Sequence, residues 1–328
     1  MSSDLPRSFG VVAIGRNEGE RLKRCLRSLS NAAQIVYVDS GSKDGSLQWA
    51  RNAGVHGVEL DLRLPFTAAR ARNAGFRWLR AIAPDLKFVQ FIDGDCELNR
   101  EWPETALSFL SSHDQVCAVL GRRREQYPER SVYNLMCDQE WDVPLGEVKA
   151  CGGDVMMRID ALEAVGGYRD DLIAGEEPEL CVRFRAAGWK IWRLDHEMTR
   201  HDAAMLQFSQ WWRRQMRSGY AFAQGAKLHG SRPERHWVWE SRRALIWGLG
   251  FPLALIGAIF ILGWWGAFLL LVYPLQILRR LRTMHGAWRT RLKLAFFEQL
   301  SRFAEAVGEL RFFRDQRLGR HGQLIEYK

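Results

Sequence analysis

Between Arg243 and Arg279 the chain carries 35 consecutive residues, Ala244 to Leu278 (ALIWGLGFPLALIGAIFILGWWGAFLLLVYPLQIL), without one charged side chain. Roughly 17 to 25 apolar residues suffice for one membrane-spanning helix, and Gly263-Trp264-Trp265-Gly266 interrupts this run past its middle. The pattern predicts two apolar helices folded into a hairpin. Arg242 and Arg243 precede it, Arg279, Arg280 and Arg282 follow it, and the inner turn has no charge. Cationic flanks stay on the cytoplasmic side, so both ends are expected there. Pro274 interrupts a short second arm, so a hairpin dipping into one leaflet and one crossing twice both fit; a helix pair buried in a globular core is the competing reading.

Charge divides the chain at nearly the same place. Residues 1–205 hold 27 Lys and Arg against 31 Asp and Glu, and residues 206–328 hold 20 against 7, so the net charge of +9 joins a slightly acidic part to a strongly basic one. A basic part suits nucleic acid or an anionic membrane surface. The uncharged run within it decides for the membrane, and no nucleic-acid partner is expected. The first residues, MSSDLPRSFGVVAIG, lack the basic stretch and long apolar run of a secretory signal. The expectation is a cytosolic first part held at the inner (cytoplasmic) membrane. Six cysteines (25, 96, 117, 137, 151, 181) show no CxxC pair or metal-ligand spacing, as befits reduced and mostly buried thiols.

The first part alternates between two periodicities. FGVVAI (9–14) is an unbroken apolar run, and residues 17–30 place Leu22, Cys25, Leu26 and Leu29 on one helical face. QIVYVD (34–39) reads as a second strand, followed by a helix that Asp44 caps and that runs to about Ala53. Residues 55–62 are a third short strand, 67–82 a helix and KFVQFID (87–93) a fourth strand. This alternation predicts an α/β fold, a mainly parallel sheet covered by helices. Such sheets bind ligands at the carboxyl ends of their strands, where Asp39 and Asp93 stand. FIDGDCE (91–97) adds Asp95, and Asp-Gly after a strand is also an ordinary turn. The first strand-to-helix turn, AIGRNEGE, lacks the GxGxxG of a dinucleotide fold, and no GxxxxGK[ST] occurs. Leu98 stands where an EF-hand loop requires glycine.

Taken in order, VVAIGRNEGERLKRCLRSL, VYVDSGSKDGS, TAARARNAGF, FIDGDCE and the segment from Gly152 to Asp195 (GGDVMMRIDALEAVGGYRDDLIAGEEPELCVRFRAAGWKIWRLD) resemble the family 2 glycosyltransferases over about residues 9–200. The resemblance implies the Rossmann-like GT-A fold, a nucleotide-diphosphate sugar as donor and a divalent cation, Mg²⁺ or Mn²⁺. It implies that Asp39 contacts the base with Glu18 nearby, that Arg72 and Asn73 border the donor site, that Asp93 contacts the ribose and that Asp95 ligates the cation. The family's Glu-Asp pair, source of the catalytic base, matches Glu176-Glu177; Glu177 is the candidate base, one methylene longer than the family's Asp. Acids at 176, 177 and 179 around Pro178 also suit the first turn of a helix. His201 is a further metal or phosphate ligand by the same resemblance, with His196 and Asp202 close in sequence. The chemistry is coherent in itself: a departing pyrophosphate gains charge that a hard cation stabilises, and the acceptor hydroxyl needs a base.

QWWRR (210–214) is similar to the QxxRW of membrane-embedded polysaccharide synthases, but Arg214 replaces the tryptophan. Trp211, Trp212, Arg213, Arg214 and Arg217 suit a helix at headgroup depth. Residues 291–313 place Phe296, Leu300, Phe303, Val307 and Leu310 on one face of an amphipathic helix, for the membrane, the catalytic domain or a homo-oligomer. Arg122, Arg123 and Arg124 read as a solvated strand end. The expected organisation is a GT-A domain at 5–205, basic and aromatic interfacial helices at 206–243, the hairpin at 244–282 and the C-terminal helix and tail at 283–328. The expected function is inverting, metal-dependent sugar transfer to a membrane-proximal acceptor, a lipid-linked glycan or cell-envelope polysaccharide precursor. A sugar-nucleotide nucleotidyltransferase would use similar acids, but its glycine-rich Arg/Lys loop is missing; an inactive nucleotide-sugar-binding protein is the other alternative.

Overall fold

A computed structural model describes residues 8–320 together with Gly322, Ile325 and Glu326. The start of the expected catalytic domain, at residue 5, lies outside the described residues, as does part of the tail. The described chain forms two compact units. One runs to Glu129 and resumes over Cys137–Ala204; the other comprises Arg130–Met136 and the residues from Met205 onward.

The first unit is built on one sheet of nine strands among the described residues. Four apolar runs form β1 (Phe9–Gly15), β2 (Gln34–Asp39), β3 (His56–Glu59) and β4 (Phe88–Asp93), all parallel in the order β3-β2-β1-β4. Val11, Val12, Ala13, Val36, Val38, Val89 and Phe91 have no exposed surface, as strands covered on both faces require. The helix Ala68–Ile82 lies directly on this sheet because residue 75 is glycine: a Cβ there would overlap Val12 Cγ1. Thr67 begins that helix by accepting the Arg70 N–H at 3.1 Å. The helix Ser46–Asn52 starts two residues later than expected, behind a left-handed Gly45, and Asp44 accepts the Ser46 N–H at 3.0 Å.

Beyond β4 the sheet becomes mixed. β5 (Cys96–Leu98), β6 (Val116–Glu125), β7 (Gly146–Val148), β8 (Val155–Arg158) and β9 (Lys190–His201) complete it. β8 runs antiparallel to β4 and β6, β9 runs parallel to β6, and β5 and β7 pair antiparallel with β9. The β5 pairing sets Cys96 opposite His201. All six cysteines are buried, and none forms a disulfide among the described residues.

The second unit is helical. Val238–Leu281 is long and apolar enough to cross a membrane by length and composition, and its most apolar window is only 6% buried. It is not one straight rod. The helix Phe251–Leu262 ends at Gly263, whose φ of 61° reverses the chain into a 3₁₀ segment, Gly263–Leu271, and then the helix Val272–Leu281. The arms meet: Tyr273 Oη donates to the Trp247 carbonyl at 3.0 Å, and its ring lies edge-on to Phe251 at 5.2 Å. The apolar run is therefore a hairpin whose second arm begins as 3₁₀ rather than α-helix. A carbonyl-tight approach to Ala258 forces glycine at 266 and sets that arm close.

Two expectations for this unit are corrected. Trp211 is 1% exposed, stacked on Tyr133 and edge-on to Phe297, so it is a core residue and not a headgroup contact. The C-terminal helix, Trp288–Arg317, buries Ser301, Arg302, Glu305, Glu309 and Asp315, while Phe296, Val307 and Leu310 are exposed. The physical reason is close backbone approach on its small-residue flank. Cβ atoms at Gly219 and Gly308 would overlap the carbonyl oxygens of Glu305 and Met216, and one at Gly248 that of Arg302. Gly308→Ala gains about 1 kcal/mol of helix propensity but drives a methyl into a backbone carbonyl, an overpacking cost of about 1–3 kcal/mol or more. The variant is expected to melt several degrees below wild type in detergent. An unchanged or raised melting temperature would refute this packing.

Candidate active site

The carboxyl ends of β1, β2 and β4 form the edge on which the acids gather. Asp39, 3% exposed, accepts from Tyr37 Oη at 2.9 Å and from the amides of Gly41 and Ser42 at 2.9 and 2.7 Å, so it closes its own loop. The neighbouring loop is tied to it: Ser42 Oγ accepts the Asn17 N–H at 2.8 Å, and Asn17 takes a left-handed φ of 56°. Glu18 pairs with Arg21 at 2.8 Å, and its Cγ would lie 3.4 Å from a Cβ at residue 94. Gly94 approaches β1 closely, its N–H donating to the Ile14 carbonyl at 2.7 Å.

Arg72, 2% exposed, organises the next layer. Its Nη2 donates to Asp93 Oδ1 at 2.9 Å, and its Nη1 lies 2.8 Å from Glu176 Oε1 and 2.7 Å from Glu177 Oε1. Burial works against the charge on Asp93, but Arg72 and Arg123 outweigh it and hold its carboxyl below the ordinary range. For Glu177 burial wins over Arg72, with Glu176 adding to it, and its pKa is pushed up to about 7. Gly153 leaves the space in which this happens: a Cβ there would stand 2.5 Å from Arg72 Nη2 and 3.1 Å from Glu177 Oε1. Asn73 is spent differently. Its Nδ2 donates to the Tyr168 carbonyl and to Asp170 Oδ1, both at 2.7 Å, and its Oδ1 accepts the Tyr168 N–H at 3.0 Å, which pins the loop ahead of Glu176.

Asp95 and His201 form a second cluster. His201 Nε2 lies 3.3 Å from Asp95 Oδ2 and both are buried; its Nδ1 lies 3.5 Å from Glu125 Oε2. The amides of Ala203 and Tyr127 fix Glu125 at 3.0 and 3.2 Å. Cys96 Sγ completes a group whose ligand atoms all lie within 4.8 Å of one another. Burial pushes the Cys96 thiol well up, so it stays protonated. A carboxylate and an imidazole remain, a donor set that fits Mn²⁺ or Mg²⁺ with positions left for phosphate oxygens and water. His196 is apart from this pair, near Glu101 at 3.7 Å.

Three residues of the site escaped the reading of the sequence. Arg123 is not a solvated strand end; it lies 3.3 Å from Asp93 Oδ2 and 3.4 Å from Asp154 Oδ2. Arg122 is likewise engaged, with Asp138 at 3.2 Å. Asp154 is wholly buried, accepting from the Asp93 N–H at 3.0 Å and from Thr199 Oγ1 at 2.7 Å. Glu125 stands behind His201. The only signal for them was acids and arginines in apolar strands, where an unpaired charge would be costly.

Arg72→Met would leave Glu176 and Glu177 without their guanidinium and Asp93 with Arg123 alone, an expected loss of about 3–5 kcal/mol. Glu177, already pushed up to about 7 by burial, would lose the charge that opposes that rise and hold its proton to higher pH, so the variant's stability relative to wild type would fall as pH rises. Denaturant unfolding in detergent should show a larger deficit against wild type at pH 8 than at pH 5.5. An equal deficit at both would mean that lost packing, not charge, is responsible.

Residues 11–161 match the sequence model of glycosyl transferase family 2. Glycosyltransferase AglE of Haloferax volcanii is 24% identical over 205 residues, 58% of this chain and 65% of the relative, so just under two thirds of that relative's length is spanned. Among solved structures, the mannosyltransferase PcManGT of Pyrobaculum calidifontis, in complex with GDP-Man and Mn²⁺, superposes with a TM-score of 0.62 at 19% identity, covering 92% of this chain and 87% of that one. Glucosyl-3-phosphoglycerate synthase of Mycobacterium tuberculosis, with Mn²⁺ and UDP-glucose, gives 0.50 at 17% identity, covering 69% of this chain and 80% of that one. These likenesses bear on the fold, and the family match bears on the motifs that line its strand ends. Over residues 11–161, a little under half of its length, the chain matches glycosyl transferase family 2, and its fold is GT-A.

Proposed function

We propose that the protein is an inverting, cation-dependent glycosyltransferase that moves a sugar from a nucleotide-diphosphate sugar to an acceptor at a membrane surface, a lipid-linked glycan or polysaccharide precursor. The observation that carries this reading is the Arg72 cluster. One buried guanidinium joins Asp93, at the end of β4, to Glu177 in the first turn of the helix Glu176–Ala186. An acid with a pKa of about 7 can gain and lose a proton under working conditions. Glu177 is the base that takes the acceptor hydroxyl's proton, and Arg72 orients it. Asp93 faces the ribose, Asp39 and Glu18 the nucleoside side, and Arg72 and Asn73 the border of the donor.

Asp95 and His201 would hold the cation, which supplies charge neutralisation to the departing pyrophosphate when bound. An imidazole in the set favours Mn²⁺ over the all-oxygen shell that Mg²⁺ prefers. The two solved neighbours with Mn²⁺ and a nucleotide sugar support the same pairing. The exposed apolar hairpin supports attachment to the cytoplasmic membrane with the catalytic unit in the cytosol. The Trp288–Arg317 helix keeps an exposed apolar flank that a second subunit could cover.

A panel of nucleotide sugars with Mn²⁺ should give thermal stabilisation by one nucleotide class, abolished by chelator and by Asp95→Asn. No response to any nucleotide would sink the reading. Glu177→Gln is expected to lower kcat at least 10²-fold with donor stabilisation retained. In wild type, kcat should rise about tenfold per pH unit below about 7 and level off above it, since only the deprotonated form of Glu177 accepts a proton. A flat profile from pH 5.5 to 8.5 would remove Glu177 from that role. Reconstituted full chain should float with liposomes and resist alkaline extraction; recovery as soluble protein would overturn the membrane attachment.

A further inference from the structure

One charged group of the site has no part in the transfer just described. The Arg123 side chain, from β6, is only 13% exposed, and its guanidinium lies 4.6 Å over the Trp141 ring, which stands edge-on to His201 at 4.8 Å. It reaches Asp93 Oδ2 at 3.3 Å and the buried Asp154 at 3.4 Å. Arg72 already holds Asp93 Oδ1. Asp93 therefore carries a guanidinium on each oxygen, while Asp95, two residues on, faces an imidazole. Each Asp93 oxygen keeps a second lone pair, but a cation bound there would sit beside a fixed guanidinium, and at an effective dielectric near 20 that like-charge approach is opposed.

We propose that Arg123 is a positioning residue that withholds Asp93 from the cation, so that the cation takes Asp95 and His201 and Asp93 stays turned to the donor. The inference rests on the reading of Asp95 and His201 as cation ligands. It implies a weak cation site in the absence of nucleotide, because a third ligand and second carboxylate, Asp93, is kept out of it and a fixed positive charge stands close by. Donor phosphates would then supply the missing negative charge, so cation and donor would bind as a pair.

The test is Mn²⁺ titration of the full chain, followed by electron paramagnetic resonance without nucleotide. Arg123→Gln should bind Mn²⁺ about tenfold tighter or more, a direction that a merely structural arginine would not produce. Arg123→Lys, which keeps the charge, should stay within about threefold of wild type. Adding Asp93→Asn to Arg123→Gln should cancel the gain. If Arg123→Gln alone folds poorly by circular dichroism, Arg123→Gln with Asp154→Asn keeps the buried charges balanced and should still bind Mn²⁺ tighter than wild type. Unchanged or weaker Mn²⁺ affinity in the folded Gln variants, with wild-type binding lost in Asp95→Asn, overturns this inference alone. Wild-type Mn²⁺ binding indifferent to Asp95→Asn overturns the ligand reading and this inference with it.

Discussion

A buried arginine is an expensive component, and the catalytic unit is arranged around one. The guanidinium of Arg72 cannot shed its charge, so its desolvation must be offset by carboxylates brought from elsewhere in the chain. They come from the end of β4 and from the first turn of the helix Glu176–Ala186, 21 and more than 100 residues away. The next residue, Asn73, pins the loop that leads into that helix. One turn of the helix Ala68–Ile82 thus fixes both Asp93 and Glu177. Glycine at 153 leaves room for the cluster, and glycine at 75 lets the helix that carries it sit flat on the sheet.

The same economy of charge explains the state of the site. Asp93, Asp95, Glu125, Asp154, Glu176 and Glu177 gather there with two guanidinium groups, Arg72 and Arg123. Acid is in surplus. At Asp93 burial is outweighed by Arg72 and Arg123 together and the carboxyl is held ionised; at Glu177 burial prevails and a proton is held near neutrality. Two carboxylates that share Arg72 are pushed toward opposite protonation preferences by their surroundings.

In the helical unit the usual relation between sequence pattern and burial is inverted along the C-terminal helix. Its buried face sets Leu294, Ala304, Ala306 and Phe312 among charged residues that pair locally: Arg302 pairs with Glu305 at 2.9 Å, and Ser241 donates to Glu309 at 2.8 Å. Burial, with Glu305 nearby, pushes Glu309 up to about 8, so it sits there without a full charge. Glycines let the neighbouring backbones approach this face more closely than leucine or phenylalanine would allow, and part of the apolar residues is left on the outside. Hydrophobic periodicity reports which residues share a face; it does not report which face a partner helix can reach.

The sequence alone determined the α/β alternation, the four parallel strands, the acids at their ends and the apolar hairpin, because each is written in local periodicity, turn chemistry or the absence of charge. The ordered motifs also located Arg72, Glu177 and His201. Tertiary structure decided what these residues touch. It set His201 beside Asp95 through the pairing of β5 with β9, turned Asn73 to its loop, and drew Arg123 out of an apparently ordinary strand, and Asp154 from the bend before β8, into the site. These outcomes depend on strand pairings between residues dozens to more than a hundred positions apart, and no local pattern encodes the distance between two side chains that meet only when the sheet closes.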